Sequence, residues 1–400
     1  MPAINGNTPL DEATARWLVS DEAKALCDSV AGRPTHQAIA QLRKHTGAER
    51  AAAVVELVEL RRRAAAKFPK ADRMYFTRVG LEQATDWWVA THKAERFASA
   101  ARRADLCCGI GGDLVASAGG SAVGYDLCPV AVTFAAANAA ALDRTGVSVQ
   151  TADADAAPLE EFDAWHADPD RRPTGRRTTR VDLHSPGTHV LEAWRQRNAN
   201  AAIKLAPAAE PPPAWADECE LQWISRGGEC KQLVVWSGNL ATAAGERRAA
   251  ALGPRGEPRG EVLGQPEPPA PIAGTLGESI YEPDAAAFAS SLDGLIAHRH
   301  TLERVSSSGG YLTGKPGITA PLLTEFRIQA VTPLRTKTIA ALLRERAIGR
   351  LEIKSRGVSI DPHALRKQLK PTGDNEATLL LTQCDRKAIA ILAHRVSAEG

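Results

Sequence analysis

The sequence predicts an α/β fold: a parallel sheet of crossover strands, with a helical region before it and an α+β module after it. Three observations lead there. Asp105-Leu106-Cys107-Cys108-Gly109-Ile110-Gly111-Gly112-Asp113 reads as a strand running into a glycine-rich turn and the first turn of a helix. Twenty-one residues past Asp105, Ser121-Ala122-Val123-Gly124-Tyr125-Asp126 reads as a second strand ending in an acid, the spacing of a βαβ unit. From residue 101 onward, strand-like and helix-like stretches alternate up to a hairpin that ends at Trp236.

Taken in order, residues 1–100 are expected to form a helical domain. Thr35–His45 and Arg50–Lys67 repeat apolar residues at helical spacing (Val54, Val55, Leu57, Val58, Leu60), and Phe68-Pro69 closes the run. Met74-Tyr75-Phe76-Thr77-Arg78 comes just before the ligand edge of the sheet and is expected to cover a ligand. Thr85 is placed to cap a helix through His92, Lys93 and Arg96, whose paired tryptophans Trp87 and Trp88 read as core.

The sheet domain is expected over 101–240. After Asp126 come a helix at Val130–Leu142, a third strand from Val147 that ends in Asp153 and Asp155, and a fourth strand that ends in Asp168-Pro169. A fifth strand at Asn200–Pro207 and the hairpin strands Cys219–Ser225 and Lys231–Trp236 complete it. Prolines among charges predict a linker over 241–275. The remainder alternates helices at Ala285–His298, Thr336–Arg346 and Pro362–Leu369 with strands at Tyr311-Leu312, Thr324–Gln329, Leu351–Gly357 and Ala377–Thr382, a compact α+β module.

Composition bounds the function. A net charge of +2 with 24% charged residues announces no global field for nucleic acid, so any such site must be local. Seven scattered cysteines without a CxxC pair fit a reducing cytoplasm and neither a disulfide framework nor a zinc site, and the dispersed histidines give no metal spacing. No apolar run is long enough to span a membrane, and the amino terminus lacks a signal-peptide pattern.

The glycine turn carries the chemistry. Gly109 and Gly111 remove Cβ atoms where a backbone must bend and approach a ligand closely. A dinucleotide fingerprint would need a third small residue where Leu114 stands, and the Asp105 carboxylate would repel a pyrophosphate. An acid there suits a ligand with an ammonium and a sulfonium group, which S-adenosylmethionine has; the bland alternative is a tight strand–helix turn with no ligand. Asp105, Cys107, Gly109 and Gly111 are then expected to seat its methionine end, Asp126 the ribose, and Asp153 or Asp155 the adenine.

Asp168-Pro169 ends the fourth strand beside that position, where an acid can orient an acceptor amine; an ordinary strand-ending turn is the alternative. Arg171, Arg172, Arg176, Arg177 and Arg180 crowd the following loop, as phosphate contacts or as a solvated face. Residues 321–400 hold 14 Lys/Arg against 8 Asp/Glu, a local net of +6, with Lys354 and Arg356 among the basic residues.

The glycine motif resembles the first motif of class I methyltransferases. With Asp168-Pro169 and its arginines, Trp223-Ile224-Ser225, Gly228-Glu229, Lys231-Gln232, Tyr281-Glu282-Pro283-Asp284 and Leu351-Glu352-Ile353-Lys354-Ser355-Arg356-Gly357, the chain resembles the bacterial THUMP-like domain-containing methyltransferases. The resemblance runs from about residue 67 onward. It implies a Rossmann-like sheet, a ferredoxin-like segment at 276–330 and a THUMP-like module at 331–400. THUMP domains help present tRNA to modifying enzymes. Leu81 to Phe97 with the core motifs is distantly similar to trimethylguanosine synthases, which methylate an exocyclic amine of a cap guanosine. Asp170 departs from those enzymes, which carry a second proline and then an aromatic, so the base and the acceptor atom stay open.

The expectation is an S-adenosylmethionine-dependent methyltransferase acting on a base nitrogen of tRNA or rRNA, with Asp168 and Pro169 at the reacting centre. A small-molecule methyltransferase, a non-catalytic RNA-binding protein and a nicotinamide enzyme are the alternatives.

Overall fold

A computed structural model describes residues 10–116, 119–172, 178–307, 309–384 and 387–396. The chain divides into two compact units, the first formed by 1–221 and 232–245, the second by 222–231 and 246–400.

The first unit opens with helices α1 (Glu12–Leu18), α2 (Asp21–Val30) and α3 (Thr35–Ala64). Asp11 and Ser20 cap the first two through their side-chain oxygens. The two helices expected over 35–67 are one element broken at Gly47, whose φ of 80° is left-handed. Short helices α4 (Arg78–Gln83) and α5 (Trp87–Ala94) lead into the sheet. The cap of α5 is Asp86, whose carboxylate accepts from Trp88 N, and not Thr85. Trp87 and Trp88 are only half-buried.

Next come β1 (Arg102–Leu106), β2 (Ser121–Asp126), α6 (Pro129–Ala141), β3 (Val147–Thr151), β4 (Ala164–Ala167), α7 (Thr188–Arg197) and β5 (Ala201–Leu205). After α8 (Pro213–Glu218), β6 (Glu220–Arg226) and β7 (Glu229–Trp236) flank a Gly227-Gly228 turn. Within this unit the strands lie in the order β3-β2-β1-β4-β5-β7, the first five parallel and β7 antiparallel to β5. Ala104, Leu106, Ala164, Trp165 and Ala201 to Ile203 are buried, as the apolar runs of a sheet covered on both faces require. The carboxyl ends of β1, β2, β3 and β4 therefore open on one edge, where ligands bind in sheets of this kind.

The Met74-Tyr75-Phe76 segment does not cover that edge. Its side chains are buried in the core. The fully buried Asn138 of α6 holds it there: Oδ1 accepts from Tyr75 N at 2.7 Å, and Nδ2 donates to the carbonyls of Tyr75 (3.1 Å) and Ile110 (2.9 Å). The same amide thus ties the helical region to the glycine turn.

In the second unit, β8 (Arg247–Leu252) and β9 (Pro258–Gly264) pair antiparallel inside the stretch expected to be a linker. Ala249 to Leu252 are buried, and Pro258 stands at the first strand position, where no ladder donor is lost. Then follow β10 (Ser279–Pro283), α9 (Ala285–Ala289), α10 (Asp293–Arg299), β11 (Glu303–Arg304), β12 (Leu312–Gly314), β13 (Leu323–Pro333), α11 (Thr336–Glu345), β14 (Ile348–Ser355), α12 (Pro362–Leu369), β15 (Asn375–Cys384) and β16 (Lys387–Arg395). Where one helix was expected over 285–298 there are two, broken where Ser291 turns to a φ of 61°. One sheet of order β11-β12-β10-β13-β16-β15-β14 takes in the whole of 279–395. β13 crosses the expected boundary at residue 330, so the two segments expected to be ferredoxin-like and THUMP-like share a sheet. Ile339, Leu343, Leu351, Leu365, Leu379 and Leu392 pack the helices α11 and α12 onto it.

Candidate active site

A cleft of about 710 Å³ opens at the carboxyl edge of the first unit's sheet. Its floor is the turn after β1. Cys107, Gly109 and Gly111 take positive φ angles of 56°, 55° and 82°, so the backbone doubles back directly below the cleft. A Cβ on Gly112 would stand 3.3 Å from the backbone of Thr85, which packs the α4–α5 loop onto the turn. One helical bond, Val115 N to Gly111 O at 3.0 Å, follows; the expected helix amounts there to a single turn.

Asp105, next to last in β1, lies at the base of the cleft. Its Oδ1 lies 2.7 Å from His166 Nδ1, while Oδ2 is buried with no hydrogen-bond partner among the described residues. Asp126 ends β2. Its Oδ2 accepts from Gly109 N (2.8 Å) and its Oδ1 from Cys128 N (2.9 Å), which fixes the carboxylate while leaving each oxygen a lone pair for a ligand. Leu127 beside it is 71% exposed although it lines the cleft, and Val79 of α4, also lining it, is 61% exposed. Asp153 accepts from Asp155 N (3.0 Å), and Asp155 accepts from the buried Trp194 indole (2.5 Å).

Asp168 and Pro169 lie on the cleft wall after β4. Asp168 Oδ2 meets Lys204 Nζ of β5 at 2.5 Å, and Oδ1 carries no bond among the described residues. Asp170, standing where a second proline would continue the motif, accepts from Gln83 Nε2 (3.0 Å) and from Arg172 N (3.0 Å). Its backbone pairs with Ser185. Arg171 and Arg172 line the rim, Arg172 near Glu82 at 3.5 Å; Arg176 and Arg177 lie outside the described residues.

Beneath the floor, Lys93 Nζ of α5 is 2.6 Å from Asp113 Oδ1 and 3.2 Å from His166 Nε2. Burial pushes the Lys93 ammonium below its usual range, against the pull of Asp113. Burial would raise the Asp113 carboxyl, but the charge and hydrogen bond of Lys93 and the charge of Lys204 hold it below the usual carboxylate range. Thr85 Oγ1 donates to the other Asp113 oxygen at 2.5 Å. Burial first, then the surrounding aspartates, pushes the Cys107 and Cys108 thiols up, so neither supplies a thiolate at neutral pH.

The cleft thus gathers Asp105, Cys107, Gly109, Asp126, Asp153, Asp155, Asp168, Pro169, Arg171 and Arg172 in one place. Gly111 is in the floor turn. Lys354 and Arg356 belong to the second unit, where Lys354 Nζ (2.6 Å) and Arg356 Nε (3.1 Å) are both taken by Glu282. Sequence reasoning missed His166, Lys204 and Leu127. Each left a trace: a histidine or a lysine interrupting a buried apolar strand, and a leucine directly after a strand-ending acid.

Among the described residues no cluster of three or more His, Cys, Asp or Glu side chains could hold a metal ion, and no helix is long and apolar enough to cross a membrane.

Residues 323–395 match the family model of THUMP domain-like proteins. Proteins from two strains of Mycobacterium tuberculosis, described as uncharacterized S-adenosylmethionine-dependent methyltransferases, are 32% identical over 346 residues, 84% of this chain and 93% of theirs. The crystal structure of a Porphyromonas gingivalis W83 protein assigned as a methyltransferase superposes with a TM-score of 0.74 at 21% identity, over 96% of this chain and 98% of that one. At that identity the likeness speaks for the fold.

Proposed function

The chain belongs to the class I S-adenosylmethionine-dependent methyltransferases that carry a THUMP-like module, and from that premise we propose that it methylates a nitrogen of an RNA base, in tRNA or rRNA. The observation that carries the cofactor site is Asp105 Oδ2, a buried acceptor without a partner at the floor of the cleft. A buried carboxylate oxygen left unpaired is costly, and an ammonium group would satisfy it. The other acids around the cleft favour a cationic ligand and would repel the pyrophosphate of a nicotinamide dinucleotide.

In this reading Asp105 binds the ammonium of the methionine end, with Cys107, Gly109 and Gly111 giving the backbone its close approach. Asp126 accepts from the ribose hydroxyls. Leu127 covers the adenine, and Asp153 accepts from its amino group, the Asp155 carboxylate being engaged by Trp194. S-adenosylmethionine bound there would supply an electrophilic methyl group on a sulfonium. Asp168, steadied by Lys204, accepts a hydrogen bond from the acceptor N–H through its free Oδ1, and Pro169 shapes the wall against which the acceptor lies. Positioning of this kind accounts for most of the catalysis expected of an in-line displacement. Arg171 and Arg172 at the rim would hold phosphates.

The engagement of Lys354 and Arg356 by Glu282 favours a second reading, a small-molecule acceptor, because it withdraws two of the expected phosphate contacts. Calorimetric titration of S-adenosylmethionine into the wild type and into Asp105→Ala tests the cofactor site: binding by the first and loss in the second is expected. No binding by well-folded wild type would sink the enzyme reading. Binding of cofactor without binding of any tRNA or rRNA would move the acceptor to the small-molecule class.

A further inference from the structure

A buried run of polar groups lies beneath the cleft floor and, apart from Asp105, takes part in none of the roles above. His166 on β4 stands in register with Asp105 on β1, its Nδ1 2.7 Å from Asp105 Oδ1. On the other side of the ring, Nε2 lies 3.2 Å from Lys93 Nζ, which meets Asp113 Oδ1 at 2.6 Å. Lys93 is 2% exposed and His166 5%. Arg103, on the same face of β1, donates to Leu114 O at 2.7 Å.

The chemistry of the donors sets the tautomer. An ammonium has hydrogens to donate and no lone pair to accept with, so the ring nitrogen facing Lys93 must be the acceptor. The single ring proton then sits on Nδ1 and is donated to Asp105 Oδ1. One oxygen of Asp105 is thereby fixed, the plane of the carboxylate with it, and Oδ2 is left buried and unpartnered on a residue that lines the cleft.

We propose that His166, held in this tautomer by Lys93, is a positioning residue that aims Asp105 Oδ2 at the ammonium group of the cofactor's amino-acid end. The inference rests on the cofactor reading above. It makes a distinction that a merely structural histidine would not: ligands with the amino-acid end should depend on His166, and ligands without it should not.

The test compares S-adenosylhomocysteine with 5′-methylthioadenosine, which keeps the adenosine and lacks the ammonium and carboxylate. By calorimetry, His166→Phe should weaken the first about tenfold or more and leave the second within about twofold. His166→Asn offers an amide N–H toward Asp105 and a carbonyl toward Lys93, and should recover most of the loss. Equal weakening of both ligands, or of neither, overturns the positioning role.

Should His166→Phe fail to fold, nitrogen NMR of the histidine-labelled wild type decides the question. A neutral ring protonated on Nδ1, whose signals move with S-adenosylhomocysteine and not with methylthioadenosine, is expected; an Nε2-protonated ring overturns the proposal. Wild type that binds neither ligand removes the cofactor reading and this inference together. Wild-type binding without discrimination in the variants removes the inference alone.

Discussion

Lys204 Nζ lies 2.5 Å from Asp168 Oδ2 and 3.2 Å from the carbonyl of Gln83, so the acid expected to orient the acceptor is itself held by a nearly buried lysine. Both side chains line the cleft. Lys204→Met removes the charge and keeps the bulk of the stem. Turnover should fall on the order of ten- to a hundredfold while the affinity for S-adenosylhomocysteine stays within about threefold. Steady-state kinetics beside calorimetry reads the split; an equal loss of both would place Lys204 in the general folding of the cleft.

Leu127 gains nothing from folding, being 71% exposed, yet it lines the cleft directly after the acid assigned to the ribose. Covering such a side chain with an aromatic base removes apolar surface from water, worth about 1–2 kcal/mol. Leu127→Ser should therefore weaken binding of the adenosyl ligand about tenfold and leave the melting temperature unchanged. Calorimetry and a thermal melt on the same sample check both halves. A lowered melting temperature with unchanged affinity would mark Leu127 as a packing residue.

The two sets of basic residues should behave differently. Arg171 and Arg172 line the cleft, half-buried; among the described residues the Arg172 guanidinium pairs with Glu82, at 3.5 Å. If they meet phosphates, the double change to glutamine lowers tRNA affinity and reduces the slope of log affinity against log salt by roughly one to two. Lys354 and Arg356 flank the buried Glu282, so changing either to glutamine should first lower the melting temperature. Anisotropy titrations at several salt concentrations, with thermal melts, separate the two. An unchanged salt slope in the Arg171/Arg172 variant would speak against phosphate contact there.

What was legible in the sequence follows from what local pattern can encode. Strands β1, β4 and β5 were readable because burial on both faces demands short apolar runs, and the acids at the sheet's carboxyl edge were readable because they close such runs. Strands β8 and β9 were hidden by flanking prolines and glycines that resemble a linker until Ala249 to Leu252 are seen to be buried. The Tyr75-Phe76 segment was misplaced because its position depends on one amide of Asn138, 63 residues away. His166 and Lys204 were passed over for the same reason. A lone polar residue in a buried strand leaves a local trace but not its meaning, because its partners, Lys93 and Asp105 for one and Asp168 for the other, are supplied only by tertiary pairing.

Glu220 gives the sharpest stability prediction. It is fully buried at the start of β6 and receives both arms of Arg96, at 2.5 and 2.9 Å. Its Oε2 also accepts from Thr242 N (2.8 Å), Thr242 Oγ1 (2.9 Å) and Ala243 N (3.0 Å), and Arg96 lies over the Trp236 ring with its carbon 4.6 Å from the centroid. Glu220→Ala leaves a mostly buried guanidinium without its counter-charge and several donors without an acceptor. Removing one partner of a buried pair typically costs about 3–5 kcal/mol. Glu220→Gln keeps the shape and some of the acceptors and should lie between Ala and wild type. Urea unfolding of the three proteins, followed by a probe of the first unit such as tryptophan fluorescence, measures the order. A Glu220→Ala midpoint equal to that of wild type would show that the site relaxes around the missing charge and that the network does not stabilise the unit.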